Sequence, residues 1–166
     1  MNQVIPAYIE NTGVVKAPLT YEWKDEDHRT YWAFEAPSMR RQISRMNDQS
    51  VIALGAGIAE WAAWRLGTHA EDQTLFFAIE ATWAAVVDWR YFELKRSPRE
   101  TVKLKDWTGP VRRPLALAAS FLSGAVEQAS RGKSMLEEVV ILTHLTEHIL
   151  PDRSAFRKWR DAAVLR

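Results

Sequence analysis

Residues 70–94 read AEDQTLFFAIEATWAAVVDWRYFEL, and this stretch decides the fold class. Its apolar side chains recur at the three- and four-residue spacing of an α-helix, with Leu75, Ile79 and Trp83 on one side. Apolar residues such as Phe77 also cover the opposite side. Because a helix that is apolar on all sides is usually buried on all sides, we expect 70–94 to be the central helix of an all-α protein.

The flanking sequence carries further helix signals, which predict a bundle of five or six helices around that central helix. Asn47 or Asp48 can cap one helix, and Ser134 to Glu137 has the S-x-x-E pattern of a capping box. Asp152, directly after Pro151, can cap the last helix. The expected helices span about 38–46, 48–66, 111–131, 135–150 and 153–164.

Segment 48–66 is unusually rich in small residues, and Gly55 and Gly57 lie in its interior. Each interior glycine costs a helix about 1 kcal/mol relative to alanine, so we expect the close approach of another helix as compensation. A second interpretation is that this small-residue face lines a cavity for a ligand. Gly67 is placed to end the helix at the position after its C-cap.

Residues 1–36 differ from the rest of the chain. They contain two prolines, one glycine and six of the aromatic residues. We expect either an extended aromatic arm or a short β-hairpin, packed on a helical domain of residues 37–166. A length of 166 residues fits one domain overall.

Composition and missing motifs exclude several classes of function. The chain has no cysteine, so we expect no disulfide, thiolate zinc site, iron–sulfur cluster or cysteine nucleophile. Dinucleotide-binding, P-loop and nucleophile-elbow motifs are also missing from the sequence. No run of 18 apolar residues and no leader-like start is present. We therefore expect a cytoplasmic protein without a membrane segment and without a cofactor.

The segment from His144 to His148 reads HLTEH and resembles the H-x-x-E-H signature of the inverzincin metallopeptidases. Histidines at positions i and i+4 of a helix can share one metal ion. In that family the third ligand is an acid well downstream, whereas only two acids follow His148 here. We expect the two histidines on a polar helix face, with Glu147 turned toward the apolar side. A metal-dependent helical enzyme using this pair is the alternative function.

A second group of charged residues lies on the predicted central helix. Glu80, Asp88 and Arg90 would all be buried if that helix is buried on all sides. Buried charges cost several kcal/mol unless they are paired, so these residues would need partners such as Arg65.

Charge is unevenly distributed along the chain. Residues 1–83 carry a net charge of −4 and residues 84–166 carry +5, while Arg90 to Arg113 holds eight basic and three acidic residues. Basic residues interleaved with aromatic ones can bind nucleic acid, but the sequence pI of about 8.0 is below the range typical of such domains. We expect instead a protein partner with an acidic contact surface.

The chain is tryptophan-rich, with eight tryptophans. Tryptophan, tyrosine and arginine are the side chains most enriched at the energetic centres of protein interfaces. The sequence therefore predicts a non-enzymatic protein–protein interaction module. An immunity-type antidote that blocks a partner toxin is one form of it, and an adaptor or chaperone is another. The predicted contact residues are Trp107, Arg112, Arg113, Arg99, Lys103, Trp23 and Trp32.

Overall fold

The computed structural model describes residues 4–27, 36–70, 73–88 and 106–165. Within these ranges the chain forms α-helices and no β-strand, which confirms the all-α class. No helix in these ranges combines the length and the apolar character needed to cross a membrane. The helices are α1 (Ala7–Glu10), α2 (Pro37–Ile43), α3 (Asp48–Leu66), α4 (Thr74–Val87), α5 (Gly109–Ser130), α6 (Leu136–Ile149) and α7 (Ser154–Val164).

The N-terminal segment 4–27 is an arm that packs on the helices. It contains α1 and the 3₁₀ turns Val14–Lys16 and Asp25–Asp27, joined by irregular backbone. Ile9 and Val14 are buried in the same apolar core as the helices. The hairpin alternative is not found within 4–27, and residues 28–35 lie outside the described ranges.

Helix α3 is the most buried element, and the expectation that 70–94 is buried on all sides is wrong. Thirteen of the nineteen residues of α3 are buried, and α4, α5 and α6 all pack against it. Helix α4 covers only Thr74–Val87, and Phe77 and Val87 are 56% and 78% exposed. The small side chains of α3 let several helices surround it, whereas α4 packs mainly on α3 and α5 and leaves one face open.

Glu80 and Asp88, the two acidic residues described on α4 and at its C-cap, are therefore not fully buried. Glu80 is exposed, Asp88 is half-buried at the end of the helix, and Arg90 lies outside the described ranges. Arg65, in contrast, is a fully buried charge, because its side chain has no exposed surface. Its burial lowers its pKa, and the nearby Tyr21 acts in the opposite direction.

Backbone carbonyl groups satisfy the Arg65 guanidinium. Its Nε donates to the carbonyl of Ile149 at 3.2 Å, and its two Nη atoms donate to those of Ala17 and Pro18 at 2.7 and 2.6 Å. Ile149 is the last residue of α6, whereas Ala17 and Pro18 belong to the N-terminal arm. Arg65 therefore joins the arm to the end of α6.

Two glycines of α3 confirm the expected close approach of other helices. A Cβ atom at Gly57 would lie 2.7 Å from the ring of Trp159 in α7. A Cβ atom at Gly55 would make ordinary contacts of 3.4 Å and 3.6 Å with Val139 and Leu122. Of these two positions, only Gly57 lies so close to a neighbouring side chain that a Cβ atom would clash with it.

The predicted helix ends are partly confirmed. Asn47 caps α3 as expected, since its side chain accepts the N–H of Ser50 at 2.9 Å. Asp152 accepts the N–H of Ser154 at 2.9 Å, but the N-cap of α7 is Arg153, so the prediction that Asp152 caps this helix is wrong. The capping box is wrong, because α6 takes Met135 as its N-cap without a side-chain cap. Glu137 pairs instead with Arg40 of α2 at 2.6 Å.

The explanation offered for Gly67 is also wrong. Its φ of −61° is in the right-handed helical region, so the backbone does not require glycine there. A Cβ atom at Gly67 would lie 2.8 Å from the ring of Phe76. The missing side chain therefore allows α4 to pack against this position.

Alanine substitutions at the two interior glycines of α3 should have opposite effects. Gly55→Ala should leave stability unchanged or raise it by up to about 1 kcal/mol, because helix propensity improves without a clash. Gly57→Ala gains the same propensity but must displace the Trp159 ring, and overpacking of this kind costs about 1–3 kcal/mol. Urea denaturation of both variants measures the difference. Equal free energies of unfolding would contradict the packing described for Gly57.

Replacement of Arg65 should destabilise the fold strongly. Arg65→Met leaves three carbonyl groups without their donor, and each such loss costs about 1–3 kcal/mol. We expect the free energy of unfolding to fall by about 3 kcal/mol or more. The matched control is Arg41→Met, since Arg41 is exposed. A loss at Arg65 no larger than at Arg41 would show that these bonds do not stabilise the fold.

Candidate functional site

Trp23 and Trp107 are two of the predicted contact residues. The carboxylate of Asp25 links the arm that carries Trp23 to the backbone just after Trp107. The indole N–H of Trp23 donates to the Asp25 carboxylate at 2.9 Å. The backbone N–H of Gly109, at the start of α5, donates to the same carboxylate at 3.1 and 3.2 Å. A negative charge is favourable at a helix N-terminus, so Asp25 fixes the arm next to Trp107.

A tryptophan–arginine pair forms the exposed part of the region where the arm meets the start of α5. The guanidinium of Arg112 lies 5.6 Å from the centre of the Trp107 ring, which is a cation–π distance. Arg112 is exposed and Trp107 is half-buried. The Tyr21 hydroxyl donates to the Pro110 carbonyl and ties the arm to the first turn of α5. We name Trp23, Trp107 and Arg112 the Trp–Arg surface.

The other predicted contact residues do not belong to the described Trp–Arg surface. Arg113 is only 8% exposed, and its Nη1 donates to the Trp107 carbonyl at 3.3 Å. It therefore supports the backbone of Trp107 from inside, and we remove it from the predicted contacts. Arg99, Lys103 and Trp32 lie outside the described ranges.

The two histidines of the HLTEH segment have different surroundings. His148 Nε2 lies 2.9 Å from the Glu22 carbonyl oxygen, and the Tyr21 ring meets the imidazole edge to face at 5.8 Å. His144 lies beside Glu147, and its pKa is lowered by burial and by the charges of Arg160 and Arg157, despite the opposing charge of Glu147. Among the described residues, no group of three or more histidines and acids could hold a metal ion. The pair therefore gains no third ligand there.

Glu147 is buried, as expected, but it faces arginines. Arg157 donates two hydrogen bonds to it at 3.2 and 2.8 Å, and Arg160 donates one at 2.6 Å. Burial raises the pKa of Glu147, but the hydrogen bond and charge of Arg157, with the charges of Arg160 and His144, bring it below its ordinary value. Two arginines of α7 thus compensate the negative charge of Glu147 in the HLTEH segment.

A groove runs along the small-residue face of α3. Its volume is about 620 Å³, and Ala53, Leu54 and Gly57 lie along it. Tyr8 and Trp159 stack on each other at 4.9 Å on one side. We name this the aromatic groove; its further lining residues include Trp83, Arg45, Asn47 and Ser50.

A carboxylate is held by two lining residues of the aromatic groove. The Tyr8 hydroxyl donates to one oxygen of Glu60, and the Trp83 indole N–H donates to the other at 2.8 Å. Burial raises the pKa of Glu60, and the bond from Trp83 opposes this only in part. No lysine, arginine or histidine of the described residues forms an ion pair with Glu60.

Sequence reasoning found part of the aromatic groove. The interpretation of 48–66 as the lining of a cavity identified its α3 side. Glu60, Tyr8 and Trp159 were missed as members of one site. Gly57 was the available signal, because an interior glycine in a helix marks a place where a large ring can lie against the backbone.

Acid should weaken the fold through Glu147. Its folded-state pKa lies below the ordinary 4.5, so its stabilising effect is complete above that value and disappears as pH falls through the folded value. We expect Glu147→Gln to be about 2 kcal/mol less stable than wild type near neutral pH, with a smaller difference in more acidic buffer.

Urea denaturation at a series of pH values measures this difference, and Glu10→Gln is the control because Glu10 is exposed. A difference between Glu147→Gln and wild type that stays constant from neutral to acidic pH would contradict the effect described for the arginines.

The chain matches no protein-family model, no curated protein and no solved structure.

Proposed function

We propose that this protein is a non-enzymatic protein–protein interaction module that contacts its partner through the Trp–Arg surface. The observation that carries the proposal is the exposed Arg112 guanidinium stacked at 5.6 Å on Trp107. Asp25 and Arg113 hold the backbone around Trp107 from two sides. Such a surface presents aromatic area and hydrogen-bond donors with little loss of conformational entropy on binding.

The proposed partner has an acidic contact surface. An arginine fork matches the geometry of a carboxylate and can bind it through two hydrogen bonds. The excess of basic residues between Arg90 and Arg113 supports the same charge preference. A toxin blocked by this protein, as by an immunity-type antidote, is one such partner, and a client of an adaptor or chaperone is another.

The test is affinity capture from the native lysate with wild-type protein and surface variants. We expect Trp107→Ala and Arg112→Glu each to reduce recovery of the specific partner about tenfold or more, which corresponds to about 1.4 kcal/mol. Arg131→Glu is the matched control, because Arg131 is exposed just beyond the opposite end of the same helix.

Quantitative mass spectrometry of the eluates gives the result. A protein whose recovery falls in both surface variants and not in Arg131→Glu supports the proposal. Equal recovery of every captured protein with all four baits would remove the Trp–Arg surface from it.

A second candidate function is ligand binding in the aromatic groove. Its volume of about 620 Å³ falls in the range of small-molecule sites, which are concave and mostly apolar with a few polar groups.

An apolar probe such as 1-hexanol should shift the indole N–H signals of Trp83 and Trp159 in NMR spectra. Ala53→Leu, which places a larger side chain in the middle of the groove, should weaken those shifts. Unshifted signals in wild type would contradict this function.

A further inference from the structure

The chemistry at one end of the aromatic groove is that of a receptor for a cation. Glu60 does not itself line the groove, but it follows Gly57, which does, by about one helical turn of α3. Its two donors, Tyr8 and Trp83, are both lining residues of the groove. Both donors are neutral, so the two bonds do not compensate the charge of an ionised Glu60.

Within the described part of the chain, acceptor sites on this carboxylate stay unused. A carboxylate can accept about four hydrogen bonds, and Glu60 receives two from the described residues. Glu60 is half-buried, and its hydration is therefore incomplete. A raised pKa is the expected result of such burial without a cation. A positively charged ligand would supply the interaction that no described residue supplies.

The aromatic rings around Glu60 favour the same ligand. Tyrosine and tryptophan faces attract cations by about 0.5–2 kcal/mol, depending on desolvation. Tyr8, Trp83 and Trp159 all line the groove, and Trp159 lies directly against the Gly57 backbone. Aromatic rings that line one cavity are a recurring means of recognising ammonium groups.

The opposite end of the groove sets the direction in which a ligand would lie. Arg45, Asn47 and Ser50 line it near the start of α3, more than two helical turns from Glu60. The cation Arg45 repels an ammonium group there, and the apolar side chains of Ala53 and Leu54 lie between the two ends. An apolar chain would thus lie along α3 with its charged head at Glu60.

We propose that the aromatic groove binds an organic ammonium ion, a primary amine carried on an apolar chain, with its nitrogen at Glu60. The inference rests on the second proposed function, that the groove is a ligand site. Recognition is by an ion pair with Glu60 and by the faces of the surrounding rings, while the chain covers Ala53 and Gly57.

The experiment compares three probes of equal chain length at about pH 8, where a primary amine is protonated. Hexylammonium, 1-hexanol and hexanoate are titrated separately while the indole signals of Trp83 and Trp159 are followed. We expect wild-type protein to bind hexylammonium at least about tenfold more tightly than hexanol, and hexanoate most weakly.

Variants locate the preference for the ammonium group. Glu60→Gln should bind hexylammonium and hexanol within about twofold of each other, because the ion pair is lost. Trp83→Leu keeps Glu60 and an apolar wall but loses the ring and its hydrogen bond to the carboxylate. Its preference, followed by the Trp159 signal alone, should fall between those of wild type and Glu60→Gln. Glu80→Gln, on the exposed face of α4, is the matched control and should keep the full preference.

The outcomes separate this inference from the function on which it rests. Equal affinity of wild type for hexylammonium and hexanol would overturn the ammonium preference and leave the ligand site standing. Tighter binding of hexanoate would overturn it in favour of an anion at Arg45. No shift with any probe would overturn both proposals. If Glu60→Gln does not fold, Trp83→Leu against Glu80→Gln still decides the result.

Discussion

The buried guanidinium of Arg65 is the constraint on which the arrangement of both surfaces depends. A charge without exposed surface is costly unless its donors are satisfied, and three backbone carbonyls provide this here. Two of these carbonyls belong to the N-terminal arm, so the arm must cross the end of α3 at Ala17 and Pro18. Tyr8 then lies on one side of that crossing and Trp23 on the other. Arg65 thus helps to position one residue of the aromatic groove, Tyr8, and one residue of the Trp–Arg surface, Trp23.

The fold could be predicted where local chemistry decides it. Small residues in 48–66 predicted close helix packing, which Gly57 and Trp159 confirm, and Asn47 caps its helix as expected. The relative burial of α3 and α4 could not be predicted from periodicity. An apolar pattern shows which residues are suited to burial, but the number of neighbouring helices decides which ones are buried. Phe77 is exposed because no described helix covers that face.

The residue types of the candidate site could be predicted from the sequence, but their arrangement in space could not. Trp23, Trp107 and Arg112 were expected at one surface from their residue types. The link depends on Asp25, which accepts from Trp23 and from the backbone of Gly109, 84 positions away. Arg112 and Arg113 are neighbours in sequence with opposite exposure, because successive residues of a helix point about 100° apart. Tyr8 and Glu60 are separated by 52 positions, and no local pattern relates them.

The stack of Tyr8 on Trp159 also bears on the order in which the chain folds. These two rings are roughly 150 positions apart, so their contact closes nearly the longest loop that the chain contains. Helices α3, α4, α5 and α6 meet through much shorter loops, and we expect them to assemble first. The groove wall formed by that stack is then among the last features completed. An occupant of the groove would accordingly recognise only the fully closed chain, and would slow the detachment of its first and last helices rather than the opening of the core.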